Sequence, residues 1–210
     1  IFNKFIQRYY LDKLNGIHCV SNEEMIDIPK FTNNKKIFVV ENGLDIDNLE
    51  KKTKNLKKNI REKSKIYIGL VGRIKKEKNI HGFLKGLSLL NDEISKKISV
   101  IIVGEFKKDS YCKNIIKLRN NLKLSSNVDF LGEKYGTDLW KIYNSLDIYI
   151  QPSLDEAGAS ITIMEAMFFN LPIVATHECK MNDIKDKSFV KLIGSTPKDI
   201  AKGLTESIKN

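Results

Sequence analysis

Residues 66–90 read IYIGLVGRIKKEKNIHGFLKGLSLL. Six residues of strand length, apolar throughout, end at Val71. Gly72 permits a tight turn, Arg73 and Lys78 follow, and apolar residues then recur at helical spacing over 80–90. A strand with no polar alternation is buried on both faces, which is the mark of a parallel sheet covered by helices. The same unit repeats downstream. Strands are expected at 99–103, 128–131, 148–151, 172–175 and 189–193, with helices at 110–122, 137–146, 162–169 and 197–208. The fold class is therefore α/β, a doubly wound parallel sheet whose ligands sit beyond the carboxyl ends of the strands. Chemistry belongs at the strand-to-helix junctions, where Gly72, Gly104, Gly132 and Ser153 stand. Upstream, 17–21 and 37–40 are further strands and 2–14 an apolar-faced helix, outside the regular series.

The 210 residues carry 36 Lys and Arg against 26 Asp and Glu, a net charge of +10. Phosphorylated ligands, nucleic acid and anionic membranes are all compatible with that balance, as are lysines spread over solvated faces. Lysines concentrate in 51–65, a polar connector or an exposed basic helix. No apolar run approaches the ~20 residues of a membrane span, and no secretory leader is visible. Cys19, Cys112 and Cys179 are far apart, odd in number and without a C-x-x-C pair, so neither a disulfide framework nor a zinc site is expected. These features suit a cytoplasmic protein. The first residue is Ile, and the chain is expected to be part of something longer.

Two junctions carry the most chemistry. At 71–80, V-G-R-I-K-K-E-K-N-I, a small residue, two cations and a helix start form either a phosphate cradle or a turn flanked by surface charges. Neither a G-x-G-x-x-G nor a G-x-x-x-x-G-K-[ST] pattern is present. At 151–167, Q-P-S-L-D-E-A-G-A-S-I-T-I-M-E-A-M, a buried strand ends in an acidic pair, Asp155 and Glu156. The small stretch Ala157, Gly158, Ala159, Ser160 follows, then a helix carrying Glu165 among apolar neighbours. Small residues let backbone amides approach a ligand. A buried carboxylate needs a partner, which is a ligand hydroxyl, an ion pair or a helix cap.

With these motifs in order, the chain resembles the retaining glycosyltransferases of family four, which have the GT-B fold. Val20-Ser21, Asn42-Gly43-Leu44-Asp45, Val71-Gly72-Arg73 with Lys78, Val103-Gly104, Phe130-Leu131-Gly132, Tyr143 to Asp147, Pro152-Ser153, Glu156, Glu165-Ala166-Met167 and Pro172 to Thr176 carry the likeness. It implies that Arg73 and Lys78 bind and stabilise the donor diphosphate. Glu165 would bind the ribose hydroxyls, and Glu156 with Gly158, Ala159, Ser160 and Ile161 would contact the transferred sugar. Gly72, Gly104 and Gly132 would border the nucleotide. Three departures stand out. Glu156 and Glu165 enclose residues 157–164, one residue more than the family's spacing, and Asn79 and Asn170 stand where the family has Gly.

The resemblance implies a hexosyl- or other glycosyltransferase. It would move a sugar from a nucleoside diphosphate-sugar to a glycan or lipid-linked acceptor with retention, in polysaccharide or cell-envelope glycan synthesis, needing no cofactor and no metal. Residues 1–25 would be the remnant of an acceptor-side domain and 26–210 the donor-binding Rossmann-like domain, so the 210 residues alone are expected to bind nucleotide without transferring sugar. A peripheral contact with the inner, anionic face of a membrane is expected through 51–65, and nucleic acid is not an expected partner. The rival readings are a non-catalytic sugar-nucleotide-binding module of the same fold and a basic nucleic-acid- or membrane-binding domain. No catalytic base is assigned. His81 is read as packing its helix and His18 as structural, whereas His177 stands after a strand end, near enough to edge the site.

Overall fold

The computed structural model describes residues 4–56, 62, 64–107, 109–156, 158, 160–181 and 184–209. Six parallel strands form the main sheet: β3 (Ile66–Val71), β4 (Ile98–Val103), β5 (Val128–Phe130), β6 (Ile148–Gln151), β7 (Ile173–Thr176) and β8 (Val190–Ile193), in the order β5-β4-β3-β6-β7-β8. Counted from β3, that order is third, second, first, fourth, fifth, sixth, the doubly wound arrangement. The chain reverses direction across the sheet between β3 and β6, and a crevice opens at their carboxyl ends.

Alternation along each strand sends side chains to two cores. Ile68 and Leu70 of β3 and Val100 and Ile102 of β4 pack with Phe83, Leu84 and Leu87 of α4 (Ile80–Leu87) and with Ile200 and Leu204 of α9 (Pro197–Lys209). Tyr149, Ile173 and Ala175 face the opposite way. They pack with Leu139 and Tyr143 of α7 (Gly136–Tyr143) and Ile163 and Ala166 of α8 (Ile161–Phe168). Both faces are thus sealed, which is why the strands read as unbroken apolar runs. A fifth helix, α6 (Ser110–Asn121), buries Cys112 and Ile115.

Every expected strand is present, and each starts within a residue or so of its expected place. Three short helices were not anticipated: α2 (Asn22–Asp27), α3 (Ile46–Thr53) and α5 (Asp92–Lys97). Each is started by a side-chain cap, Ser21 accepting from the Glu24 amide, Asp45 from Asn48 and Asn91 from Ile94. The basic stretch 51–65 begins as the last turn of α3. Its residues 57–61 and 63 lie outside the described residues.

The leading segment forms its own unit. After α1 (Lys4–Asp12), β1 (Ile17–Cys19) and β2 (Ile37–Val39) pair in parallel with each other and not with the large sheet. The boundary expected after residue 25 passes through α2, and β2 beyond it belongs with β1. Among the described residues, no helix is long and apolar enough to cross a membrane.

Candidate functional site

The first three strand ends of the large sheet are tied in a row. Gly72 N donates to Val103 O (2.9 Å) and Gly104 N to Gly132 O (2.9 Å). A Cβ on Gly104 would stand 1.9 Å from the carbonyl oxygen of Gly72, at φ 158°. Here a glycine is required because one turn leans on the backbone of the next.

Beside this row, at the β3/β6 reversal, lies a cleft of about 400 Å³ lined by Gly72, Arg73, Lys78, Glu156, Gly158, Ser160, Ile161 and Thr162, with Val20 and Asn42 from the leading unit. Seven of the residues expected at the site are thereby brought together. Gly104 and Gly132 stand at neighbouring strand ends and do not line this cleft, and neither does Glu165. Ala159 lies outside the described residues. Gly158 has φ 149°, and a Cβ there would meet Ser21 Cβ at 2.7 Å, so the loop can close against the leading unit only as glycine.

Arg73 is exposed and, among the described residues, forms no ion pair. Lys78 ends a short 3₁₀ turn (Lys76–Lys78) and is ion-paired with Glu156 Oε1, the side chains 20% and 15% exposed. The same oxygen accepts from Ser153 Oγ (2.8 Å) and Gln151 Nε2 (3.0 Å). Lys78 has three N–H donors, so it can serve Glu156 and an incoming anion at once. Gln151, 3% exposed at the end of β6, also accepts from Ser160 Oγ (3.0 Å), Tyr149 OH (3.1 Å) and Thr162 Oγ1 (3.2 Å). The strand end is braced from behind by Thr176 Oγ1 donating to Ser153 O (2.5 Å) and Cys179 Sγ donating to Gln151 O (3.3 Å).

Glu165 is 8% exposed on α8 and accepts from Tyr143 OH at 2.7 Å. Burial pushes its carboxyl above the ordinary glutamate value, and the Tyr143 hydrogen bond opposes that shift. Tyr143 is fully buried and stacked on Phe169 at 5.5 Å, so α7 fixes where Glu165 can point.

The two asparagines in place of glycine have a backbone reason. Asn79 (φ 51°) and Asn170 (φ 54°) are left-handed, a conformation Asn tolerates better than other non-glycine residues. Asn79 is also buried and donates to Ser195 O (3.0 Å). Of the histidines, His177 lines a separate depression with Lys191 and Asp199 instead of the cleft. His81 lies on α4 with its pKa lowered by burial first and then by Lys85 and Lys76. His18 stacks on Phe38 at 5.8 Å and bonds Val40 O at 2.8 Å.

Ser153 was expected at a chemistry-bearing junction but given no role, and Gln151 was passed over. The signal available was a polar side chain closing an otherwise apolar strand, which burial forces to find partners.

With this geometry established, comparison with known proteins identifies its kin. The family model described as Glycosyl transferases group 1 matches residues 51–210. An uncharacterized glycosyltransferase of Methanocaldococcus jannaschii is 27% identical over 212 residues, covering 100% of this chain and 53% of that protein. Protein CapJ of Staphylococcus aureus is 31% identical over 160 residues, 75% of this chain and 37% of that protein. The capsular polysaccharide biosynthesis glycosyltransferase CapM of S. aureus is 24% identical over 160 residues, 75% of this chain and 39% of that one. The chain thus spans about half the length, or less, of these curated relatives. Among solved structures, a glycosyltransferase from Rickettsia africae superposes with a TM-score of 0.75 at 18% identity, covering 100% of this chain and 57% of that one. HepE from Anabaena, in complex with UDP and glucose, superposes with a TM-score of 0.76 at 17% identity, covering 100% and 58%. At such identities the likeness speaks for the fold.

Proposed function

Because this chain belongs to the group 1 glycosyl transferases, with the GT-B fold, we propose that its cleft holds a nucleoside diphosphate-sugar and that the whole protein transfers the sugar, with retention, to a glycan or lipid-linked acceptor in polysaccharide or cell-envelope synthesis. The observation that carries this reading is the convergence of Gly72, Arg73, Lys78, Glu156, Gly158, Ser160 and Ile161 on one cleft at the sheet's reversal point. CapM is named for capsular polysaccharide biosynthesis, which supports the same class of product.

In this reading the diphosphate lies against Arg73, Lys78 and the turn at Gly72. As the sugar–phosphate bond breaks, charge builds on the diphosphate, and two fixed cations at that point stabilise the leaving group. They supply the neutralisation that a metal would otherwise give, so EDTA should leave binding unchanged. Glu156 faces the sugar, and Glu165, which stands outside the cleft wall, is assigned to the ribose of a donor that extends past that wall. In this reading the 210 residues alone, which span 53% of the M. jannaschii relative, bind the donor without transferring sugar.

The test is calorimetric titration with UDP, GDP and ADP and their sugar conjugates, starting with UDP because HepE was solved with it. Saturable binding of one nucleoside diphosphate supports the reading, and binding of none overturns it. Glu165→Ala should cost about 1–3 kcal/mol of nucleotide affinity by removing the ribose hydrogen bonds. A ribose hydroxyl donates to the carboxylate form, so affinity should also weaken as pH falls through the raised pKa of Glu165. A Glu165→Gln variant should flatten that dependence, and the same slope in both proteins would remove Glu165 from the ribose site.

A peripheral contact with anionic membrane belongs to the same proposal, motivated by Lys51 and Lys52 in the exposed last turn of α3. Co-sedimentation with vesicles should rise with their phosphatidylserine content, and indifference to it would dismiss the contact.

A further inference from the structure

We propose that Gln151 is a positioning residue. It holds Glu156 at the cleft wall despite the lengthened loop that follows, and so lets the chain tell a sugar-bearing donor from the bare nucleoside diphosphate. This rests on the reading of the cleft as a donor site.

All four residues of β6 are buried, and Gln151 is the polar one among them. A buried amide is costly unless its donors and acceptor are used. Here both ends are. The amide's orientation follows from its neighbours: Nε2 must face the Glu156 carboxylate, because the reversed rotamer would set a carbonyl oxygen against it. Oε1 then faces the hydroxyls of Ser160, Tyr149 and Thr162; Ser160 and Thr162 lie 2.9 Å apart, so when one donates to the other, the acceptor of that pair still has its own proton for Oε1.

This network spans the loop. Glu156 stands before the small-residue stretch, while Ser160 precedes the first residue of α8 and Thr162 lies in its first turn. One side chain, anchored in the sheet, therefore ties both ends of the segment that is a residue longer than the family's spacing. The extra residue lengthens the path from Glu156 to α8, and the tie holds Glu156 and Ser160, its two described ends, to one side chain. The carboxylate is also aimed. Oε1 takes the donors of Gln151, Ser153 and Lys78, whereas among the described residues no hydrogen bond reaches Oε2. Oε2 is the oxygen left to accept from a hydroxyl of the transferred sugar.

Gln151→Met keeps the length and volume of the side chain and removes its hydrogen bonds. Arg73 and Lys78 are untouched, so the bare diphosphate should bind as before. The experiment titrates the chain with UDP and UDP-glucose, GDP and GDP-mannose, and ADP and ADP-glucose. Wild type should prefer the conjugate of whichever pair it binds. Gln151→Met should weaken the conjugate about tenfold, the loss of a hydrogen bond to a charged group, with the bare diphosphate unchanged. Gln151→Glu sets a second carboxyl beside Glu156. Its preference for the conjugate should be lost near about pH 8 and regained towards about pH 5, where a proton shared by the pair lets the new carboxyl donate.

Equal losses for both ligands in Gln151→Met would reduce Gln151 to a structural part. No loss, a pH-independent Gln151→Glu, or a wild type without preference for the conjugate would each overturn the proposal. Should Gln151→Met fail to fold, the pH response of Gln151→Glu decides. A wild type that binds none of the six compounds strikes the donor-site reading itself, and this inference with it.

Discussion

A chain carrying both Arg73→Ala and Lys78→Ala is expected to lose at least about a hundredfold in nucleoside diphosphate affinity while melting close to wild type. Each cation offers charge-assisted hydrogen bonds worth about 1.5–3 kcal/mol, so two lost together exceed the roughly 2.7 kcal/mol that corresponds to a hundredfold. The two losses should be unequal. Arg73 is exposed and unpaired among the described residues, and its removal deletes a fork of donors in a site partly screened by salt. Lys78 is half-buried and paired with Glu156. Its removal also leaves that carboxylate beside the diphosphate without a cation, turning an attraction into a repulsion. Lys78→Ala should therefore be the worse single variant, and adding Glu156→Gln to it should recover part of the loss. Titration of the four variants measures this directly. Affinities within a few-fold of wild type, or no recovery from Glu156→Gln, would place the diphosphate elsewhere.

The part of the fold readable in advance was the part dictated by burial. β3, β4, β6 and β7 are covered on both sides, and strands of four to six residues, polar only at Ser99, Gln151 and Thr176, admit few other readings. What escaped was short. α2 and α5 have six residues each and α3 eight, and each buries one apolar residue or none, so the sequence offers a capping oxygen at Ser21, Asp45 or Asn91 but no repeating buried face. The pairing of β2 with β1 was also beyond a strand-by-strand reading, since three residues of similar character fit either sheet.

The site divides in the same way. Arg73, Lys78 and Glu156 were legible because strand ends at a reversal point must converge. The absence of Gly104 and Gly132 from the cleft wall was not, because a row of strand ends is continuous and sequence does not say how far along it a cleft extends. The network behind Glu156 was hidden for a different reason. Gln151, Ser160 and Thr162 are common polar residues at a strand end and a helix start, and only three-dimensional placement turns them into a single hydrogen-bonded unit. Asn79 and Asn170, by contrast, looked like departures and are conservative in the sense that matters, since both sit where the backbone is left-handed.

The largest stability effect is expected at Tyr143. Tyr143→Ala removes a fully buried ring stacked on Phe169 and near Tyr149, and should cost about 3–5 kcal/mol from the cavity and lost transfer energy. Tyr143→Phe isolates the hydroxyl. It keeps the ring but takes the donor from Glu165 Oε2, leaving a buried carboxylate undersatisfied at about 1–3 kcal/mol. That cost depends on pH, and its sign follows from linkage. The folded-state pKa of Glu165 is raised above the ordinary 4.5, so its favourable contribution is present below 4.5 and is lost as pH rises through the folded value. The Tyr143 hydrogen bond lowers that folded value, and removing it moves the value higher still. The gap in stability between wild type and Tyr143→Phe should then widen as pH rises through the folded pKa values and narrow in acid, where Glu165 is protonated in both. Denaturant melts of the two proteins from mildly acidic to mildly alkaline pH measure the gap. If it is the same throughout, the hydroxyl does not support the ionised carboxylate, and α7 shapes the site through ring packing alone.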